Sequence, residues 1–366
     1  MNPFRYTSPV GGEDLIDRED EARRLLEDAA EGNNGRLAAP RRYGKTSLLR
    51  RVLADADRAG LVGVYVDFFG VVSLGDVAER IERAYTQSLR GRLVRWWEGV
   101  RRTLHPSVKL GVVGASVETQ VGDPAAVSLL ERLALPKLIS ERVQARVLVV
   151  FDEFQAVLTA QDNVDAIIRS EIQHHADAAS YVFAGSHVGM MQQLFTDQRR
   201  AFYAQARPLA LPPLPPVPTA EYISSRFEAT GRSVGRALGP LLDTAAGHPQ
   251  RTMLLAHHLW ERTDAGDSAD EDTFARCLAT AQAELAEEFV VAWNGLGAVE
   301  RKLLVALAHS GSPYGRSGGT SRGGAVLGAL NRLAATGEIL HDAGPRGRWR
   351  IVDPMFASWL AEGRPD

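Results

Sequence analysis

The stretch Ala39-Pro40-Arg41-Arg42-Tyr43-Gly44-Lys45-Thr46 constrains this chain more than any other. It follows a short apolar run, precedes an amphipathic helical pattern, and apart from its first residue fits G-x-x-x-x-G-K-[ST]. A loop of that kind turns backbone N–H groups and the positive end of a helix toward an anion, so a chain built on it is a strand–loop–helix unit that cradles phosphate. Gly44 lets the backbone approach a phosphate with no side chain between. Lys45 would neutralise phosphate charge, and the Thr46 hydroxyl would ligand Mg²⁺. Pro40, Arg41, Arg42, Tyr43 and Ser47 complete the expected lining. Ala39 stands where the pattern has Gly, and suits the position only if its dihedrals are ordinary.

A second element strengthens the first. Val147-Leu148-Val149-Val150-Phe151 is an apolar strand that ends in Asp152 and Glu153. An acid at that place holds the Mg²⁺ of P-loop ATPases, a role that falls to Asp152. Glu153 would then orient or deprotonate an attacking water. The plainer alternative is a pair of solvated acids at a strand end. Together the two elements make ATP and Mg²⁺ the expected cofactors, with Glu153 and Lys45 as the catalytic pair.

Around them, helical and strand patterns alternate. Helices are expected at 19–31, 45–58, 75–104, 125–142 and 164–179, and strands at 36–39, 61–68, 146–151, 181–184 and 209–211. That alternation predicts an α/β fold with a parallel sheet. Residues 108–121 alternate about a central Gly and read as a β-hairpin insert, bounded near 107–122. The proline-rich stretch 209–218 marks a boundary. Beyond it the pattern is helical at 219–229, 234–246, 249–265 and 270–292. The last part, with helices at 298–308, 323–337 and 354–361 and strands at 339–342 and 349–352, describes a winged helix. The expected domains are a core at 1–213, a helical lid at 214–292 and a winged-helix domain at 293–366.

The composition is globular, 45% hydrophobic and 24% charged, and the net charge of -3 gives no general pull toward nucleic acid. The one cysteine, Cys277, reads as a buried apolar residue and suits a reducing compartment. No apolar run approaches the roughly 20 residues that span a bilayer. A cytoplasmic protein with no membrane partner is the expectation.

These residues resemble the AAA+ superfamily, and more narrowly the archaeal-type ATPases close to the STAND signalling ATPases. The likeness begins at Asn2-Pro3-Phe4 and Asp14-Leu15-Ile16-Asp17-Arg18-Glu19, the adenine-side motif, where Asp17 replaces the usual Gly. It continues through the loop at Pro40–Leu48, through Phe151-Asp152-Glu153-Phe154-Gln155 as the Walker B match, and through Arg350-Ile351-Val352-Asp353-Pro354-Met355-Phe356 at the end of the winged helix. The resemblance implies that Ser186, in Ala184-Gly185-Ser186, is the sensor 1 residue facing the γ-phosphate. Gly247-His248-Pro249 resembles the Gly-x-Pro turn of STAND proteins. Arg251 after it is implied as sensor 2, although many relatives place that arginine one residue earlier, at Gln250 here. Asp67, at the end of the second strand, corresponds to a polar switch position. Arg199, Arg200 and Arg207 are the candidates for an arginine finger offered to a neighbouring copy, which makes a homo-oligomer on ATP binding an expectation.

Three functions stay open on this reading. One is a nucleotide-driven switch or remodelling assembly with an unknown protein partner. Another is a DNA-associated loader or motor, using the hairpin and the winged helix. DNA is also suggested by 87–105, where Arg90, Arg92, Arg95, Arg101 and Arg102 interleave with Trp96 and Trp97. The alternative for that segment is an amphipathic helix with its tryptophans packed inward. A third function is a nucleotide-sensing scaffold that does not hydrolyse.

Overall fold

The structure is a computed structural model that describes residues 1–89, 94–104, 124–161, 163–313, 323–341 and 348–363. The hairpin expected near 107–122 lies outside the described residues.

The N-terminal part runs α1 (Glu19–Ala30), β1 (Gly35–Ala38), α2 (Lys45–Arg58), β2 (Val62–Asp67), α3 (Leu74–Ser88), α4 (Val94–Leu104), α5 (Pro124–Leu133), α6 (Leu135–Val143), β3 (Val147–Asp152), α7 (Val157–Ala160), α8 (Val164–Ile172), β4 (Ala179–Gly185), α9 (Val188–Thr196) and β5 (Arg207–Ala210). The strands form one parallel sheet in the order β2-β3-β4-β1-β5. β3 and β4 are buried throughout. Strands covered on both faces are mostly apolar, which is why β3 reads as a Val, Leu and Phe run up to Asp152 rather than as an alternation.

Alternation survives in what each residue touches. Val147, Val149 and Phe151 enter a core with α3, α5, α8 and α9. Leu148 and Val150 face the opposite core, formed with α1 and α2. The loops that leave β1 and β3 therefore emerge together at the carboxyl edge of the sheet, the edge at which open α/β sheets bind ligands.

Local patterns failed where pairing overrode them. The alanine-rich helix expected to reach 179 stops at Ile172, because Ala179 pairs with Val147 and starts β4. The long helix expected at 125–142 is divided at Ala134, where Pro136 occupies the first turn of α6. The proline-rich stretch 209–218 holds the end of β5 and then a helix start. Pro216 opens α10 (Pro216–Glu228), a place where a missing N–H costs nothing.

The rest comprises α11 (Leu238–Ala245), α12 (Pro249–Glu261), α13 (Glu271–Asn294), α14 (Ala298–Ser310), α15 (Gly323–Thr336), β6 (Ile339–His341), β7 (Trp349–Ile351) and α16 (Pro354–Glu362). β6 and β7 pair antiparallel. One core runs without a break from α10 to α16 and also takes in Phe4 and Ile16. α15 also packs on α9 of the sheet-bearing part, so closely that a Cβ on Gly189 would lie 2.4 Å from Ala335 Cα. No helix among the described residues is long and apolar enough to cross a membrane.

Candidate functional site

The turn after β1 bends on two residues with positive φ, Arg42 at 63° and Gly44 at 82°. Gly44 is the N-cap of α2, so the free N–H groups of the first helical turn belong to Lys45, Thr46 and Ser47. Ala39 has no positive φ; it is buried, and its N–H donates to the Gly185 carbonyl at 3.2 Å. Its Cβ therefore meets no backbone strain, and Ala serves where Gly is usual.

β3 delivers its two acids to the same place. Lys45 Nζ lies 2.8 Å from Glu153 Oε1 and 3.3 Å from Asp152 Oδ1. Thr46 Oγ1 donates to Asp152 Oδ2 at 3.4 Å, and the Tyr65 hydroxyl donates to the same oxygen at 2.5 Å. Glu153 sits at φ 50°, left-handed and costly for a residue with a Cβ. The turn is anchored by Phe154, which is buried among Phe151, Phe183, Phe195 and Phe202. From β4, Ser186 Oγ donates to Glu153 Oε2 at 2.7 Å, and Gln155 Nε2 donates to it at 2.5 Å. Burial works against the Glu153 charge. Lys45 and the bonds from Gln155 and Ser186 outweigh it and hold the carboxyl down at about 2. Burial, then the Asp152 charge, pushes the Tyr65 phenol well up, so its proton stays in place.

A cavity of about 310 Å³ opens over this cluster. Pro40, Arg41, Arg42, Gly44, Lys45, Thr46, Ser47, Glu153 and Ser186 line one side. The other side is made by residues 5–10, with Pro249, Gln250 and Met253 of α12. Its size falls within the range of small-molecule pockets. Asp152 lies behind Thr46 and Lys45 and is buried.

The donor set fits ATP and Mg²⁺. A hydroxyl and a carboxylate are hard oxygen ligands, and Mg²⁺ is usually bound by one or two protein oxygens plus substrate phosphates. An ammonium now satisfied by carboxylates is the natural partner of phosphate oxygens.

Other expected residues lie elsewhere. Arg251 does not line the cavity; Gln250 does. The Arg251 side chain is 1% exposed and grips Asp353, with Nε at 3.1 and 3.0 Å from its two oxygens and Nη2 also on Oδ2. Its helical register turns it into the core rather than toward a phosphate. Tyr43 is likewise buried, packing edge-on against His248 and accepting from Arg350 at 3.4 Å. Asp67 is exposed, and its carboxylate accepts from the Phe69 N–H at 2.9 Å.

Each finger candidate is engaged by an acid of its own chain. Arg199, 87% exposed, binds Asp197; Arg200 lies 3.7 Å from Asp165; and Arg207 lies 2.5 Å from Asp28. Trp97 is buried with Nε1 donating to Thr86, so it is a core residue and not a stacking platform. Arg101 is tied to Glu82. Arg90 and Arg92 lie outside the described residues. Cys277 is buried, and burial pushes its thiol up to about 11.

Sequence reasoning missed residues 5–10, Tyr65 and Gln155. The first carry no pattern. The other two act through partners that only strand pairing and the turn after β3 reveal.

No protein-family model matches the sequence, and no curated protein does. Solved structures do match. A Walker-type ATPase of Pyrococcus abyssi superposes with a TM-score of 0.71 at 18% identity, over 98% of this chain and 99% of that one. The ORC2 protein of Aeropyrum pernix, solved in ADPNP–ADP complexes, gives 0.57 at 17% identity, over 98% of this chain and 95% of that one. With the parallel sheet, the loop at its edge and these two likenesses, the chain has the AAA+ P-loop ATPase fold.

Proposed function

We propose that this protein binds and hydrolyses ATP with Mg²⁺ and works as a nucleotide-driven switch, reporting the state of its phosphate loop to its C-terminal elements. The observation that carries the reading is a continuous ionic path out of the loop. Arg42, in the turn, donates to Glu288 on α13. Glu288 also lies 3.5 Å from Arg251 on α12, and Arg251 grips Asp353 at the start of α16. Tyr43 joins the same loop to β7 through Arg350.

ATP would bring a reactive anhydride to this site, and Mg²⁺ would offset its phosphate charge. Lys45 would exchange its two carboxylates for phosphate oxygens. Thr46 and Asp152 would hold the metal. Glu153, released from Lys45, would orient a water and take its proton, while Ser186 would turn from Glu153 to the γ-phosphate. Arg41 and Arg42 would face the phosphates from the cavity wall, and a change at Arg42 would pass to Glu288. The ADPNP and ADP bound to the ORC2 protein support a nucleotide as the ligand here.

We retain residues 1–213 as the core, 214–292 as the lid and 293–366 as a winged helix. The lid and the winged helix share one hydrophobic core and would move together. A recognition role for α15 is poorly supplied: Leu327 is exposed on it, and Arg332 is paired with Glu300 at 2.7 Å. We therefore favour the switch over the DNA-associated reading, with a cytoplasmic setting and assembly of copies on ATP.

Turnover of wild type against Glu153→Gln tests the reading. The variant is expected to bind ATP normally and to lose activity by about 100-fold or more, the usual worth of a general base. Equal turnover would remove Glu153 from the chemistry. ATP binding without turnover in wild type would favour a sensing scaffold. Hydrogen exchange in α16 that ignores ATP would end the switch reading.

A further inference from the structure

The Asp152 carboxylate is expected to hold a divalent cation, and such a ligand must be aimed. Its Oδ1 accepts from the Glu153 N–H at 2.9 Å and lies 3.3 Å from Lys45 Nζ. Its Oδ2 accepts from Thr46 at 3.4 Å and from Tyr65 at 2.5 Å. Lys45 and Thr46 are the groups that nucleotide and metal would recruit. Once they turn away, Tyr65 is the side-chain donor left on Asp152 among the described residues.

The sheet explains why a tyrosine does this. β2 and β3 pair in parallel, with Tyr65 beside Val150 and Asp67 beside Asp152. Side chains two residues apart share a face, so Tyr65 and Asp152 are diagonal neighbours, a separation that an aromatic side chain spans. The residue directly opposite Asp152 is an acid, and like charges opposed across strands repel. Asp67 accordingly turns out to the following loop and bonds the Phe69 N–H. The polar partner that Asp67 fails to supply comes from the tyrosine two positions earlier.

We propose that Tyr65 is a positioning residue for the divalent cation: its hydroxyl fixes the Asp152 carboxylate toward the metal that Thr46 would share. The proposal rests on the reading of Thr46 and Asp152 as the metal residues.

The test uses the full chain with Tyr65→Phe and Asp152→Asn, and Mn²⁺ as the probe. Free Mn²⁺ is followed by electron paramagnetic resonance in the presence of a non-hydrolysable ATP analogue. A fluorescent ADP, titrated in EDTA, reports nucleotide affinity without metal. Tyr65→Phe is expected to bind that nucleotide as wild type does, with an unchanged melting temperature. It should need about tenfold more Mn²⁺ for half-saturation, the usual effect of removing a hydrogen bond to a metal ligand. Wild-type Mn²⁺ affinity in Tyr65→Phe, with Asp152→Asn impaired, would overturn the tyrosine's role alone. Mn²⁺ binding that neither variant weakens would overturn the metal site itself. Nucleotide affinity in EDTA falling together with the melting temperature would make Tyr65 merely structural, which also rejects the proposal.

Discussion

Asp353→Asn tests the far end of the ionic path. Asp353 is the N-cap of α16, its Oδ1 accepting from the N–H groups of Met355 and Phe356 at 3.0 and 3.3 Å. Asn caps a helix about as well as Asp, so the substitution spares the cap and removes the charge. What is lost is the partner of a guanidinium that is 1% exposed. Removing one member of a buried pair costs about 3–5 kcal/mol, because the other charge stays behind. Two features favour the lower end. The Asp353 side chain is 22% exposed, and Arg251 keeps Gln250 at 2.9 Å and Glu288 at 3.5 Å. The expectation is therefore about 3 kcal/mol, or roughly 100-fold in an opening equilibrium.

Hydrogen exchange at the amides of α16 reads that opening directly. They should exchange about 100-fold faster, while amides of β3 and β4 keep their wild-type protection. Acceleration below about fivefold would refute the argument that this pair fastens α16, since it would put the loss under about 1 kcal/mol. Equal acceleration in β3 would refute its local character. Removing the stranded charge as well while keeping the cap, Arg251→Met with Asp353→Asn, should recover much of the loss, because no buried charge is then left without a partner.

His248 gives a pH prediction. Burial depresses its pKa from 6.5 to about 4, against the pull of Asp353, and its neutral Nδ1 accepts from the Arg251 N–H at 3.3 Å. Between those values the unfolded chain binds the proton and the folded chain does not, so stability rises with pH across the window. It should fall by about 3 kcal/mol from pH 6.5 to 4, and His248→Asn should flatten that slope in denaturant titrations at each pH. Asp353 adds in the same direction further down. Burial raises its carboxyl, Arg251 more than reverses this, and its contribution is lost as pH falls through the depressed folded value. Gly189→Ala is expected to separate α9 from α15, because the new Cβ would meet Ala335 backbone at 2.4 Å. A cost of about 1–3 kcal/mol should appear as faster exchange in α15, and unchanged exchange there would refute the close packing.

What was legible from sequence was what is local in the chain. The loop at 39–46 and the strand ending in Asp152 each contain their own signal, and the parallel sheet follows from their alternation with helices. Ser186 was reached through the family resemblance, which puts a sensor 1 residue at the end of the strand that the structure shows as β4. Arg251 and Gln250 were not separable, because both sit in the first turn of α12. Which one faces the cavity depends on how that helix lies on the core. Tyr65 was invisible because its partner is 87 residues away and the register of β2 on β3 decides the contact. The end of α8 was misplaced because alanine-rich sequence suits a helix until a strand needs it.

The clearest departures from local preference coincide with the proposed chemistry. Glu153 holds a left-handed backbone that glycine would adopt more cheaply. Gln155, two residues on, buries an Oε1 with no hydrogen-bond partner among the described residues, a cost of about 1–3 kcal/mol. That oxygen sits where a Cβ on Gly185 would be, at 2.1 Å, so only glycine there admits the amide. Turning the amide over would give Oε1 other surroundings but set it against the Glu153 carboxylate. The observed orientation instead keeps the N–H on Glu153 and leaves the oxygen unsatisfied. A stable turn needs none of this, whereas the role proposed for Glu153, a carboxylate that orients a water, would. The two local costs, together with the phenylalanine cluster that enforces them, are thus better explained by the demands on Glu153 than by the demands of the fold.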